Sequence, residues 1–372
     1  MLFRIHFFPW LCILTAGLAL EYGVAKRLRE TASRRLLWWG GVALTALMLA
    51  GYALEFESAQ RSLPALWATW LQCAALFEVL ALAVAFGALH FSRTVPRFEP
   101  QRRALLGATA CLVPGVTTAF GILHRNQFRL TEVRIPIDGL PKDLNGLRLV
   151  QISDVHLSPF LSEREFSRGI DMANETRAHL ALMTGDLISR RGDPLDACLR
   201  QLGRLRADAG AIGCLGNHEV YAQTEEYVTE EGRRRGIDFL RNQAKTFQFG
   251  DASIRFAGVD YQRFEKPYLA GAERLIQPGA VNVLLSHNPD VFPVAAAKGY
   301  GLTIAGHTHG GQVDFEILHQ HLNIARVYTP YTRGLYRHGN SSLYVSTGLG
   351  TIGMPLRLGA PPEVSLIVLC AT

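Results

Sequence analysis

Apolar residues fill the first third of the chain in four long runs, roughly residues 7–24, 36–54, 65–91 and 104–123. Each approaches or exceeds the ~20 residues that carry a helix across ~30 Å of hydrocarbon. After residue 124 the pattern shortens. Residues 131–137 alternate apolar and polar positions, as a half-buried strand does, and Pro136, with no amide proton for a ladder, predicts a sheet edge. Residues 147–152 follow the Asn145-Gly146 turn signal, and 178–184, 211–215, 281–285, 302–305, 343–346 and 364–369 read as further strands. Helical spacing predicts helices over 163–177, 195–206 and 223–235. In the third of these the acids come first, and Arg233, Arg234 and Arg235 close it before Gly236. That order complements the helix dipole and needs no ligand to explain it. The chain thus divides into an apolar helical bundle over 1–124 and an α/β domain over 125–372.

The apolar part reads as about four transmembrane helices. All five tryptophans (Trp10, Trp38, Trp39, Trp67, Trp70) fall near the ends of its runs, where an indole keeps one wet edge. Lys26, Arg27, Arg29, Arg34 and Arg35 occupy the first loop, and Arg93, Arg97, Arg102 and Arg103 the third. The second has only Arg61 beside Glu55 and Glu57. Positive-inside counting therefore puts loops one and three in the cytoplasm, and the termini and the α/β domain on the outer face of a multi-pass cell-membrane protein. A cleaved signal peptide over residues 1–25 is the competing reading, because Gly23-Val24-Ala25 resembles a small-residue cleavage site. Glu78 lies inside the third run. An intramembrane role and simple protonation within the bundle both stay open for it.

Composition narrows the classes further. Charged residues make up 19% of the chain, below the ~25% usual for soluble proteins. The formal net charge is +6, but residues 1–124 hold 11 basic and 6 acidic side chains, so the basic excess sits in the apolar part. A nucleic-acid partner is therefore not expected, since its basic surplus belongs on a folded domain. The six cysteines show no C-x-x-C spacing and read as small buried hydrophobes.

The chemistry follows the apolar strands. Ser153-Asp154-Val155-His156, Thr184-Gly185-Asp186, Gly216-Asn217-His218-Glu219, Ser286-His287-Asn288-Pro289 and Gly306-His307-Thr308-His309 each come just after one. Open α/β sheets bind ligands in the loops beyond the carboxyl ends of their strands. Carboxylates, a carboxamide and imidazoles without thiolate form a borderline-hard metal set, and eight such groups exceed the three protein ligands of a catalytic zinc. They suit two divalent ions about 3.5–4 Å apart, bridged by one carboxylate.

Asp154-x-His156, Gly185-Asp186, Gly216-Asn217-His218-Glu219, Ser286-His287 and Gly306-His307-x-His309 occur in the order that marks the calcineurin-like metallophosphoesterase superfamily, which residues 130–372 resemble. The run Gly348-Leu349-Gly350-Thr351-Ile352-Gly353-Met354-Pro355-Leu356-Arg357, followed by Pro361-Pro362-Glu363, resembles its membrane-associated bacterial branch. The resemblance implies a four-layer α-β-β-α sandwich of two mixed sheets. It implies a first ion on Asp154, His156, Asp186 and His309, and a second on Asp186, Asn217, His287 and His307. The ions would be manganese, iron or zinc. His218 would stay unligated, as the proton donor to a leaving oxygen or a stabiliser of phosphoryl charge. Glu219 has two open readings, orienting that imidazole or serving as an acid at a helix N-terminus. Two neighbouring cations lower the pKa of a water between them enough to give hydroxide near neutral pH.

The expected activity is hydrolysis of a phosphodiester or pyrophosphate, on a phosphorylated small molecule or a lipid-linked substrate met at the bilayer. In the segment 312–337, Arg333 and Tyr336 are candidate substrate contacts, a guanidinium for phosphate and a ring for a head group or base, against a packed-loop alternative. His179, His319, His321 and His338 have no motif context and read as surface residues. The rival from another class is a non-enzymatic membrane sensor or scaffold that keeps the metal site for structure. His218 weighs against it, because a structural site has no use for a non-ligand imidazole.

Overall fold

In this computed structural model the described residues are 120–372 without 263–267 and 318–319, together with residues 19, 22, 116 and 117. Apart from these few positions, the four apolar runs, Glu78 and the basic loops lie outside the described residues. Among the described residues no helix is long and apolar enough to cross a membrane.

The α/β domain begins with β1 (Arg129–Ile137) and β2 (Arg148–Ile152), then alternates α1 (Glu163–Glu175), β3 (Leu180–Thr184), α2 (Leu195–Leu202) and β4 (Ala211–Cys214). Two helices follow, α3 (Asn217–Ala222) and α4 (Glu225–Arg234), then β5 (Ile237–Phe239), β6 (Gln243–Phe249) and β7 (Ala252–Gly258). Next come β8 (Val281–Leu285), α5 (Phe292–Lys298) and β9 (Leu302–Ala305), then the small hairpin β10 (Asp314–Ile317) and β11 (Gln320–Asn323). The chain closes with β12 (Gly334–His338), β13 (Ser341–Val345) and β14 (Glu363–Ala371).

Two six-stranded sheets result, ordered β1-β14-β2-β3-β4-β5 and β12-β13-β9-β8-β7-β6. Both are mixed. In the first, β14 runs antiparallel to β2 while the other pairs are parallel. In the second, the outer strands β12 and β6 run antiparallel to their neighbours. The inner strands β2, β3 and β9 are buried almost throughout, as strands covered on both faces must be. β1 alternates in burial and carries Pro136 on the sheet edge, where the sequence pattern puts it.

The sheets face each other across one apolar layer. Leu149, Leu180, Leu182 and Ile212 of the first meet Ile254, Phe256, Val283 and Ile304 of the second. The outer face of the first sheet is covered by α1, α2 and α4 through Phe166, Ile170, Leu199 and Val228. The outer face of the second is covered by α5 through Phe292 and Ala295. This is the expected α-β-β-α layering for the α/β domain. His124–Ile352 with Leu356–Thr372 form one compact unit.

Several predicted boundaries shift for local reasons. The helix expected over 163–177 ends at Glu175, because Arg177 takes a left-handed backbone (φ 47°). Its start is set by a capping box, Ser162 with Glu165. The helix expected to reach residue 206 stops at Leu202, capped by Gly203. The helix expected over 223–235 is α4 alone, and Gln223 (φ 57°) separates it from α3. β5, β6, β7, β10, β11, β12 and α5 are additional to the sequence reading. β6 is mostly polar and exposed, so it lacks the apolar run that marks the inner strands.

Candidate metal centre

The parallel strands of both sheets end on one side, and their next residues meet there. β2 delivers Asp154 and His156, β3 Asp186, β8 His287, and β9 His307 and His309. The group after β4 is not a loop, as the sequence reading had it. Asn217 opens α3 directly, with Gly216 as its N-cap. Asp154, His156, Asp186, Asn217, His287 and His309 are buried, while His307 and His218 are half-buried.

The backbone is strained at most of these positions. Asp154 (φ 50°), His156 (44°), Asp186 (56°), His307 (77°) and His309 (53°) all sit in the left-handed region. Each such residue costs roughly 1–3 kcal/mol and persists only where its surroundings over-determine it, as functional sites do. Two glycines let the loops close. A Cβ on Gly216 would run into the Asp186 carboxylate, and one on Gly306 into Asp154 and Ser153.

Asp186 is central. Its Oδ2 lies 3.0 Å from His287 Nε2 and 3.4 Å from His156 Nε2, and its Oδ1 accepts the His218 amide at 2.9 Å. His156 Nε2 is 3.1 Å from His309 Nε2, which is 3.3 Å from Asp154 Oδ1. Three triads therefore have ligand atoms close enough to share a cation: Asp154-His156-His309, His156-Asp186-His218 and Asp186-His287-His307. One further atom fits such a role. Asn217 Oδ1 is buried without a hydrogen-bond partner. Leaving a buried polar atom unpaired costs about 1–3 kcal/mol, a cost that a bound cation removes. The donor set, oxygen and imidazole nitrogen, suits divalent ions.

The electrostatics follow from burial against proximity. Burial disfavours the ionised Asp186 carboxylate, yet His287 and His218 beside it hold its pKa well below the usual carboxylate range. Burial also opposes a charged His287, but Asp186 overrides it and lifts this imidazole to about 10. His307 is pushed down to about 3 by burial and then by His287, and burial takes His309 well below the usual histidine value. Neutral imidazole is the form that ligates a metal.

A surrounding set of contacts aims the rings. His287 Nδ1 donates to the Thr184 carbonyl at 2.6 Å, His156 Nδ1 lies 3.1 Å from Ser189 Oγ, and His218 Nδ1 donates to the Ser189 carbonyl. Each contact leaves the Nε2 of its ring toward the centre. Glu219 does not orient His218. Its buried carboxylate accepts the amides of Gly216 (2.7 Å), Asp186 (2.9 Å) and Leu187 (2.7 Å). It caps α3 and pins the β3 and β4 loops together. The parts played by Ser189 and by the Thr184 carbonyl are found only through these contacts, because both act through backbone or hydroxyl groups that carry no sequence signal.

The other sequence candidates are placed as follows. Arg333 pairs with Asp314 at 2.7 Å and donates to the Gly359 carbonyl. The Tyr336 hydroxyl accepts the amides of Thr332 (2.9 Å) and Arg333 (3.3 Å). Thr308 Oγ1 donates to the Thr332 carbonyl, which ties this segment to the His307–His309 turn. His179 Nδ1 accepts the Arg148 amide at 2.9 Å, and His338 is exposed. The free cysteines Cys198 and Cys214 are buried.

Comparison with known proteins agrees with this chemistry. Residues 147–311 match the calcineurin-like phosphoesterase family. The chain is 27% identical over 399 residues, 99% of its length and 90% of the relative's, to a "Transmembrane protein with metallophosphoesterase domain" of Danio rerio. It is 28% identical over 286 residues, 73% of its length and 98% of the relative's, to the "Uncharacterized metallophosphoesterase YkuE" of Bacillus subtilis. A Bos taurus protein with the same name as that of Danio rerio is 28% identical over 75% of this chain and 66% of its own. With the ordered donors of five strand ends gathered around Asp186, residues 147–311 form a calcineurin-like phosphoesterase domain.

Proposed function

We propose that the protein is a membrane-anchored phosphoesterase that holds two divalent ions, of the manganese, iron or zinc type, and hydrolyses a phosphodiester or pyrophosphate of a lipid-linked substrate. The observation that carries this reading is Asp186 Oδ2, which faces His287 on one side and His156 on the other, with the unpaired Asn217 Oδ1 in the same buried cluster. Asp154, His156, Asp186 and His309 would hold one ion, and Asp186, Asn217, His287 and His307 the other. When bound, such ions supply Lewis acidity toward phosphoryl oxygens and lower the pKa of coordinated solvent.

His218 is the half-buried imidazole beside both groups, and the Ser189 carbonyl holds its Nδ1 proton. Its Nε2 is then the atom that exchanges a proton with the leaving oxygen. Burial lowers the pKa of this ring, partly offset by Asp186, so the charged form is scarce at neutral pH. The donor is therefore the minority imidazolium: its Nε2 proton passes to the leaving oxygen as the P–O bond breaks, and the ring is left neutral with its Nδ1 proton still on the Ser189 carbonyl.

Membrane anchoring is supported by the four apolar runs and by the names of the Danio rerio and Bos taurus relatives. The basic loops favour an outer-face catalytic domain. A lipid-borne substrate is supported by the tip Arg326-Val327-Tyr328. Its Val327 is 80% and its Tyr328 76% exposed, and it follows Asn323, whose amide donates to the Gly310 carbonyl at 2.9 Å. A basic, an aliphatic and an aromatic residue together suit a bilayer interface. Arg333 and Tyr336 remain the candidate substrate contacts, on the segment that Thr308 Oγ1 ties to the His307–His309 turn.

The test uses the full chain in nanodiscs, loaded with Mn²⁺, against mono-, di- and pyrophosphate lipids and the soluble diester bis(p-nitrophenyl) phosphate. Turnover that chelation abolishes is expected. Metal binding without turnover of any of these would favour the sensor or scaffold reading instead. Val327→Ser with Tyr328→Ser should slow hydrolysis of lipid in bilayers and leave the soluble diester unaffected.

A further inference from the structure

Arg357 is 4% exposed, and every hydrogen-bond partner of its guanidinium is a carbonyl or the His309 ring. Nε donates to the Gly350 carbonyl at 3.1 Å. Nη1 donates to the carbonyls of Ala360 at 3.1 Å and His309 at 3.4 Å. Nη2 donates to the carbonyls of Thr347 (2.8 Å), Gly348 (3.2 Å) and Gly350, and lies 3.4 Å from His309 Nδ1. A buried guanidinium with no carboxylate in this set is costly, and a fan of five donors that joins separate segments is something lysine cannot reproduce.

The segments joined this way all bear on one half of the centre. The 347–350 turn lies under Asp154. Leu349 donates to the Ser153 carbonyl at 3.0 Å, and Gly350 to the Asp154 carbonyl at 2.7 Å. Of the two remaining partners, Ala360 offers only its carbonyl, and His309 stands 3.3 Å from Asp154 through its Nε2. Of the other donors, His287 is held by the Thr184 carbonyl and the Asp186 and Gly216 amides by Glu219, while the His307 amide donates to Asp154 Oδ1 at 3.0 Å.

We propose that Arg357 is the positioning residue of the Asp154-His156-His309 half-site, tying the His309 turn to the turn that backs Asp154, so that its loss weakens one ion selectively. This rests on the two-ion reading above. The expectation follows from geometry: outer contacts that orient metal ligands are typically worth about 10–100-fold in affinity, and the one ligand ring that Arg357 reaches, His309, belongs to a single half.

The experiment measures Mn²⁺ binding to the full-length protein by equilibrium dialysis with elemental analysis, together with electron paramagnetic resonance of the loaded protein. Wild type should bind two ions and give the spectrum of a coupled pair. Arg357→Met and Arg357→Lys should bind one ion with affinity within about threefold of wild type and the other at least tenfold more weakly. The spectrum at intermediate loading should be that of isolated Mn²⁺. Asn217→Ala, which removes a donor from the other half, is the reference for the opposite loss. Arg357→Lys keeps a buried cation, so it reports on the fan if the methionine variant fails to fold. Unchanged binding in the lysine variant, or equal weakening of both ions, overturns the proposal. A wild type that binds no metal overturns the two-ion reading itself.

Discussion

At the residue scale the centre is a contest between burial and neighbouring charge, and His287 shows which side wins. Its imidazole is fully buried, yet Asp186 at 3.0 Å lifts its pKa to about 10, above the ~6.5 of an unfolded chain. A raised folded value means stabilisation that is complete below pH about 6.5 and lost as pH rises toward 10. His307 and His309 are neutral in the folded state throughout this window and in the unfolded chain above pH about 7.5, and the buried thiols begin to matter only near 8.5. Between pH about 7.5 and 8.5 the metal-free protein should therefore lose roughly 1 kcal/mol of stability per pH unit. The metal-loaded protein should not, because an ion then occupies the position of that proton. Melting curves of chelated and loaded protein at the two pH values decide it, and a flat chelated profile would remove the Asp186–His287 pair from the account. His218 makes the second residue-scale prediction. His218→Ala should lower kcat by about 10²–10⁴-fold with metal content unchanged. A loss of only a few-fold would mean another group handles the proton.

At the element scale the site depends on turns rather than on helices or strands. Glu219 at the start of α3 accepts amides from two different strand ends, so one carboxylate sets the gap between the loop bearing Asp186 and the turn bearing Asn217. Glu219→Gln keeps the shape but points an amide group at backbone amides. It should weaken metal affinity about 10–100-fold while far-ultraviolet circular dichroism stays native. Wild-type affinity in that variant would reduce Glu219 to an ordinary helix cap. The motif order Gly216-Asn217-His218-Glu219 makes these residues legible as a group. It does not say which neighbour each side chain reaches, because Glu219's partners come from 32 and 33 residues away as well as from three.

At the scale of the whole molecule, two mixed sheets share one apolar layer and bring five strand ends to one place. A cation bound there is shared between loops of both sheets, since Asp186 follows a strand of the first and His287 one of the second. Metal at a hundred times its Kd should stabilise the domain by about 2.7 kcal/mol, or roughly 5–10 °C in Tm. Differential scanning fluorimetry with and without chelator measures this, and an unchanged Tm under saturating Mn²⁺ would argue that the two sheets do not share an ion.

The sequence by itself determined the inner strands, since a strand buried on both faces must be apolar throughout, as in residues 180–184 and 302–305. It also determined the order of the candidate donors, because each follows such a strand. Polar edge elements such as β6, and the break at Gln223, escaped it because they bury little and so leave no periodic trace. Only the tertiary structure decided what supports the donors. The carbonyls of Ser189 and Thr184, the amides on Glu219 and the carbonyl fan of Arg357 are backbone partners, and a backbone group looks the same at every position in a sequence until folding brings it within hydrogen-bond reach.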